Sequence, residues 1–203
     1  MFTQKKLLKK YNLFDFDKTL TFEDTLYGFY ITCNDGKISF LKKYIYFLAS
    51  ILNYTNVINN TTFKRIGVKL FLVGKAKSKI DAYSIQYSEN ILLNELYLNV
   101  FKKCKNKIII TASFENYVKK VFAKDDNVIT YGSSLDYDQN SNVCGLKNNL
   151  YGITKRKYLF NKGYKCFESF YTDSMSDKYF FSMSKDVYIV NNGKYKKYLK
   201  WKF

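Results

Sequence analysis

Two carboxylates stand two residues apart where an apolar run ends, in Asn12-Leu13-Phe14-Asp15-Phe16-Asp17-Lys18-Thr19-Leu20-Thr21. If residues 11–16 form a strand, the Asp15 and Asp17 side chains leave its end on the same side. Burying two unpaired carboxylates that close together is costly, and a bound cation removes the cost. Hard oxygen donors at this spacing suit Mg²⁺, and Mg²⁺ in turn suits a phosphate substrate. A strand that ends this way needs a fold in which strand ends open onto a site, and that requirement narrows the architectures available.

The rest of the chain supplies such an architecture. After residues 11–16, apolar residues recur at helical spacing from about 24 to 104: Phe40, Tyr44, Phe47, Leu48 and Ile51, then Ile91, Leu92, Leu96 and Val100. Residues 63–72 and 78–87 read as shorter helices between them, with Gly74 as a break. The β-branched run at 107–111 reads as a buried strand, 114–122 as a helix and 127–131 as another strand. Residues 132–150, rich in Gly, Ser and Asn, predict a hairpin around Gln139 and Asn140. Residues 158–162 end a helix at Gly163, residues 166–171 form a strand, and 186–190 form the last one. Strands alternating with helices predict an α/β fold with a doubly wound, mainly parallel, Rossmann-like sheet. The helical block after the first strand is too long for one crossover, so it reads as an inserted helical cap. The expected division is a catalytic core of residues 1–21 and 101–203, with the cap at 22–100.

Composition excludes several function classes. The chain of 203 residues has no histidine, which removes Ser-His-Asp and Cys-His nucleophile systems, histidine zinc sites and any histidine base. Chemistry must come from carboxylates, hydroxyls, lysines and a metal. Cys33, Cys104, Cys144 and Cys166 make no Cys-x-x-Cys pair, against a zinc knuckle or redox motif. No apolar run reaches the roughly 20 residues that span a bilayer. The N-terminal Met-Phe-Thr-Gln-Lys-Lys lacks the apolar core of a secretory signal, so a cytoplasmic protein with reduced thiols is expected. The net charge of +17 has two readings. One is attraction to nucleic acid, anionic lipid or a polyanionic substrate; the other is a lysine-rich composition spread over solvated faces. There is no arginine-rich arm and no nucleic-acid-binding motif, so no specific nucleic acid is expected as a partner. Gly74-Lys75 looks like part of a phosphate loop, but Lys69 and Ala76 stand where that motif needs glycine and a hydroxyl.

Ligands in a doubly wound fold bind beyond the carboxyl ends of the strands. Four polar groups fall there: Asp15 with Asp17, Thr111 with Ser113, Lys155 near a helix start, and Asp173 with Asp177. Their order resembles the haloacid dehalogenase superfamily of phosphohydrolases, over residues from about 11 to 193. Asp15-Phe16-Asp17-Lys18-Thr19-Leu20-Thr21 is similar to its first motif, and Ile110-Thr111-Ala112-Ser113 to its second. Lys155 is similar to its third motif and Asp173-Ser174-Met175-Ser176-Asp177 to its fourth. The helical insertion and Asp24-Thr25, beginning nine residues beyond Asp15, resemble the phosphoserine-phosphatase-like branch. Ala112 and Ser113 stand where true phosphoserine phosphatases carry glycines, which turns the reading away from serine phosphate.

The resemblance implies a Mg²⁺-dependent phosphomonoesterase acting on a small phosphorylated metabolite. Asp15 is the implied nucleophile, forming an aspartyl-phosphate, and Asp17 the general acid and base. Thr111, Ser113 and Lys155 would bind phosphate oxygens. Asp15, the Asp17 backbone carbonyl and Asp173 would hold the metal, with Asp177 supporting through water. Asp24 would touch substrate or cap a helix. Arg65, one of two arginines, would meet a substrate anion from the cap or lie on the surface. A phosphotransferase using the same intermediate, and a catalytically silent basic binding module, are the competing readings. The sequence leaves the oligomeric state open.

Overall fold

A computed structural model describes residues 10–198, so the N-terminal hexapeptide lies outside the described residues. The strands are β1 (Asn12–Phe14), β2 (Lys107–Phe114), β3 (Val128–Tyr137), β4 (Val143–Asn148), β5 (Phe167–Thr172), β6 (Ser184–Asn191) and β7 (Lys194–Lys197). They form one sheet in the order β4-β3-β2-β1-β5-β6-β7. Five central strands, β3-β2-β1-β5-β6, run parallel, and β4 and β7 pair antiparallel at the two edges. The α/β class and the mainly parallel sheet are as the sequence predicts.

Parallel strands covered on both faces must be apolar on both faces. Accordingly Leu13, Ile108, Ile110 and Phe170 pack on one side with Leu159 and Phe180. Phe14, Ile109 and Tyr171 pack on the other with Phe101, Tyr117 and Phe122. β1 sits in the middle, paired with β2 at Asn12↔Lys107 and with β5 at Asn12↔Ser169.

Between β1 and β2 the chain makes α1 (Leu26–Thr32), α2 (Phe40–Tyr54), α3 (Asn60–Phe71), α4 (Lys77–Ser88) and the short α5 (Glu95–Asn99). The insertion leaves and re-enters the core at one neck, where Thr21 and Leu93 form an isolated antiparallel bridge. The Asn94 amide clasps that neck by donating to the carbonyls of Thr19 and Thr21, at 2.8 and 3.0 Å. The insertion is tied down elsewhere too. Backbone hydrogen bonds join Gly74, Lys75 and Lys77 to Ser141 and Val143 of the β3–β4 hairpin. The Tyr87 ring of α4 packs edge-on against Tyr117 of α6 (Glu115–Val121), with centroids 5.3 Å apart.

Two expectations need correction. The helix expected to carry Ile91, Leu92, Leu96 and Val100 is only α5, because Leu93 is spent in the neck bridge and Asn94 caps the following turn. Residues 186–190 are not the last strand: β7 folds back on β6 through Asn192 and Gly193, both in the left-handed region (φ 48 and 77°). α2 forms where its periodicity predicts, but the stripe Phe40, Tyr44, Phe47, Leu48 and Ile51 faces solvent while Tyr46 and Ala49 are buried.

Candidate active site

The site is assembled at the carboxyl ends of β1, β2 and β5 and at the start of α7 (Ile153–Asn161). β1 ends at Phe14, and Asp15 follows with its N–H still donating to Tyr171 of β5 (2.9 Å). That bond holds the Asp15 backbone in line with the sheet. Asp15 is 7% exposed, and its Oδ1 accepts from the Phe16 N–H (2.8 Å) and from Lys155 Nζ (2.9 Å). Lys155 is itself buried in α7 and donates to Asp177 Oδ2 at 2.7 Å, so one ammonium bridges two carboxylates. Asp177 is 1% exposed, and its Oδ1 has no hydrogen-bond partner among the described residues. An orphaned carboxylate oxygen in a buried site marks a place where a cation or ordered water is wanted.

Asp17 is held by hydroxyls and a backbone amide rather than by a cation. The N–H and Oγ1 of Thr25 both donate to its Oδ1, at 2.8 and 2.6 Å. Ser113 Oγ donates to Oδ2 at 2.6 Å, and Thr111 Oγ1 stands 3.5 Å away. Thr111 is fully buried and accepts from the Ser113 N–H (2.9 Å). A bulge makes this geometry possible. Ile110 pairs with Tyr131 and Phe114 with Ser133, so Thr111, Ala112 and Ser113 of β2 oppose Gly132 alone. A bulge at a strand end re-aims side chains toward a site. It also needs glycine opposite: a Cβ on Gly132 would lie 2.6 Å from the Ser113 carbonyl oxygen.

The electrostatics follow from burial. Burial pushes the Asp15 carboxyl up to about 7 against the opposing pull of Lys155, with Asp177 adding repulsion. Burial, then the charge of Asp15, pushes Asp173 up to about 6. Asp17 is also raised by burial, with the bonds from Ser113 and Thr25 opposing the rise. Burial and mutual repulsion destabilise these carboxylates as anions, which is the condition a divalent cation relieves.

Asp15, Asp17, Asp24, Ser113, Lys155 and Asp173 line one open cavity of about 260 Å³. Thr111 and Asp177 lie buried behind it. Asp24 Oδ1 caps the start of α1 by accepting from the Leu26 N–H (2.9 Å) while still lining the cavity. Arg65 is not in this cavity; it lines a separate depression with Lys147 and Lys157. Among the described residues no group of three or more His, Cys, Asp or Glu side chains is arranged as a metal cage. Mg²⁺ needs none, since it keeps several waters and binds through one or two carboxylates.

Two contributors go beyond what the sequence assigns: the family resemblance includes Thr25 but gives it no role, and nothing in the sequence singles out Lys64 at all. Thr25 fixes Asp17. Lys64 of α3, 2% exposed, donates to Ala112 O, to Asn149 Oδ1 (3.0 Å) and to Ser133 Oγ (3.3 Å), and lines the cavity. Burial pushes its ammonium down to about 8. Asn149 in turn donates to Asn60 and Thr61 at the start of α3, both at 3.0 Å. Nothing distinguishes this lysine from its many neighbours until the fold sets it against the bulge.

Searches by sequence find no match, either among protein-family models or among curated proteins. Solved structures do match. A HAD family hydrolase from Salmonella enterica serovar Typhi superposes with TM-score 0.63 at 12% identity, over 86% of this chain and 60% of that one. The fold is that of the haloacid dehalogenase hydrolases. A phosphoserine phosphohydrolase-like protein from Francisella tularensis shares it, with TM-score 0.61 and 14% identity over 88% and 86% of the two chains. So does a substrate-bound phosphoserine phosphatase, with TM-score 0.59 and 16% identity over 88% and 84%. The chain therefore spans about three fifths of the Salmonella protein's length and most of the other two. On this haloacid dehalogenase-type fold, the candidate cavity lies at the strand ends where the topology opens the sheet.

Proposed function

We propose that the protein is a Mg²⁺-dependent phosphomonoesterase acting through an aspartyl-phosphate on a small phosphorylated substrate. The observation that carries this is the single cavity lined by Asp15, Asp17, Lys155 and Asp173, with buried Lys155 bridging Asp15 and Asp177. A purely structural site would not set two buried carboxylates on one lysine beside two more carboxylates, because each uncompensated carboxylate costs several kcal/mol, of order 3–5 when its partner is lost.

In this reading Asp15 attacks phosphorus, the phosphorus–ester oxygen bond breaks, and Asp17 delivers a proton to the departing alkoxide. Water then attacks the aspartyl-phosphate, Asp17 takes its proton, the bond to Asp15 breaks and inorganic phosphate leaves. Burial raises the Asp17 carboxyl, which favours the protonated form that an acid delivers to the leaving group. Lys155 and Ser113 would bind phosphoryl oxygens, with Thr111 positioning Ser113. Asp15 and Asp173 would hold Mg²⁺ together with the Asp17 backbone carbonyl, and Asp177 would support them through water. When bound, the ion offsets the repulsion between carboxylate and phosphate. Residues 22–100 would act as a cap, with Lys64 and Asp24 facing the substrate. A cavity of about 260 Å³ favours a small phosphomonoester over a polymer.

The test is hydrolysis of p-nitrophenyl phosphate. Turnover should require Mg²⁺, stop in chelator and return on readdition. Undiminished turnover in chelator, or in Asp15→Asn, would overturn the proposal.

A further inference from the structure

α2 is mounted with its apolar side outward. Phe40 is 83% exposed, Leu41 66% and Phe47 58%, and Tyr44, Leu48 and Ile51 are exposed beside them. At about 100° per residue these six cover an arc of about 120° on the helix, and Lys42 and Lys43 fall outside it. The opposite side is the anchored one. Tyr46 packs on Phe63, Phe71 and Tyr30, with ring centroids 4.9–5.7 Å apart. Tyr54 and Val57 extend the apolar area past the end of the helix. An exposed face of this breadth is a binding surface rather than ordinary scatter.

Charge decides the occupant. Between Gly36 and Ile80 the chain carries nine Lys and Arg residues and no Asp or Glu. Seven of the nine, including Lys37, Lys42, Lys43 and Lys69, are exposed. A second copy seated on α2 would bring two such cationic segments together. An anionic bilayer surface offers both the apolar layer and the opposite charge. A broad aromatic and aliphatic face flanked by lysines is the pattern of helices that lie in the membrane interface. Among the described residues no helix is long and apolar enough to cross a membrane, so this one would lie on it.

We propose that α2 docks the protein on an anionic lipid surface, with Phe40, Leu41, Tyr44, Phe47, Leu48 and Ile51 entering the headgroup–acyl boundary and the surrounding lysines facing lipid phosphates. Asn53 of the same helix lines the catalytic cavity, so docking fixes that cavity within one helix width of the bilayer. The inference stands apart from the catalytic reading and is tested without it.

The full chain is sedimented with vesicles of phosphatidylglycerol and phosphatidylcholine, and with phosphatidylcholine alone, at low and physiological salt. Expected is cosedimentation with the anionic vesicles that weakens with salt. Phe40→Ser with Phe47→Ser should lower the partition coefficient at least about tenfold. Lys42→Gln with Lys43→Gln should lower it by about 30-fold, about fivefold for each lysine at the surface. Circular dichroism of both variants should match the parent, because all four side chains are exposed. Failure to sediment with anionic vesicles overturns the proposal, as does sedimentation that both variants leave unchanged. Lipid-free dimerisation abolished by the phenylalanine substitutions also overturns it and assigns the face to a second copy.

Discussion

Replacing Lys155 by Met tests the electrostatic reading of the site most directly. The ammonium is 3% exposed and bridges Asp15 Oδ1 at 2.9 Å and Asp177 Oδ2 at 2.7 Å. Met keeps the stem and removes the charge, leaving two buried carboxylates facing each other with no cation. Breaking a buried pair from one side costs about 3–5 kcal/mol. For a chain of this length each kcal/mol moves Tm by about 2–4 °C, so the metal-free variant should melt about 6–20 °C below the parent at pH 8. The loss should depend on pH with a definite sign. Asp15 is raised to about 7 even with Lys155 present, and removing Lys155 raises it further. A carboxyl raised on folding binds its proton more tightly in the folded state. Its stabilising effect is therefore full at low pH and lost as pH rises through the folded value. The gap between variant and parent should shrink as pH falls from 8 through about 7 and level off below, where Asp15 is protonated in both. Saturating Mg²⁺ should also narrow it at pH 8, by supplying charge at Asp15. Thermal unfolding followed by circular dichroism at pH 5, 6, 7 and 8, with and without Mg²⁺, measures all of this. A variant as stable as the parent at pH 8, or a loss that is the same at every pH, would refute the reasoning.

The same linkage predicts that the metal-free parent loses stability from pH 5 to pH 8, through Asp15 and Asp173, and that Mg²⁺ restores most of it; urea titrations at both pH values measure the difference. Asp15→Asn should form no covalent phosphoenzyme, whereas Asp17→Asn should still bind Mg²⁺ and turn over roughly 10²–10⁴-fold more slowly, which acid-quench trapping and steady-state rates distinguish. Gly132→Ala puts a methyl group 2.6 Å from the Ser113 carbonyl oxygen, so the bulge must shift. We expect about 2 kcal/mol of lost stability with reduced turnover, and a fully active, equally stable alanine variant would show that the bulge does not need the glycine.

The parts of this fold that were legible in the sequence are those whose signal is local. The run at 107–111 is β-branched and fully enclosed, so composition alone marks it. Asp15 and Asp17 announce themselves because paired carboxylates after an apolar run are hard to explain otherwise. α2 shows where local signal ends: periodicity locates a helix and its apolar side, but cannot say on which side the core lies. The core took Tyr46 and Ala49 instead. β7 hides because Lys194-Tyr195-Lys196-Lys197 has an edge strand's charged composition rather than a buried strand's pattern. The Asn192-Gly193 pair before it is a hairpin signal that was there to be read. The bond from Thr25 to Asp17, and Lys64 altogether, were beyond reach. The bond spans eight residues and the lysine acts through partners 48 to 85 residues away, and neither distance leaves a pattern in the sequence.

β1 has a consequence for how the molecule is made. It is three residues long, and its two neighbours start at Lys107 and Phe167. Chain elongation delivers β1 before both of its neighbours, so neither ladder can form until the chain has reached residue 107, and the second must wait for residues near 170. Such non-local pairing is slow, because the intervening loop must close before any contact rewards it. The helices of the insertion are local structures and can form while β1 waits. The segment bearing Asp15 is thus synthesised well before it can be enclosed. Truncated or stalled chains would carry an intact first motif with no sheet around it, leaving Leu13, Phe14 and Phe16 open to chaperones or to aggregation.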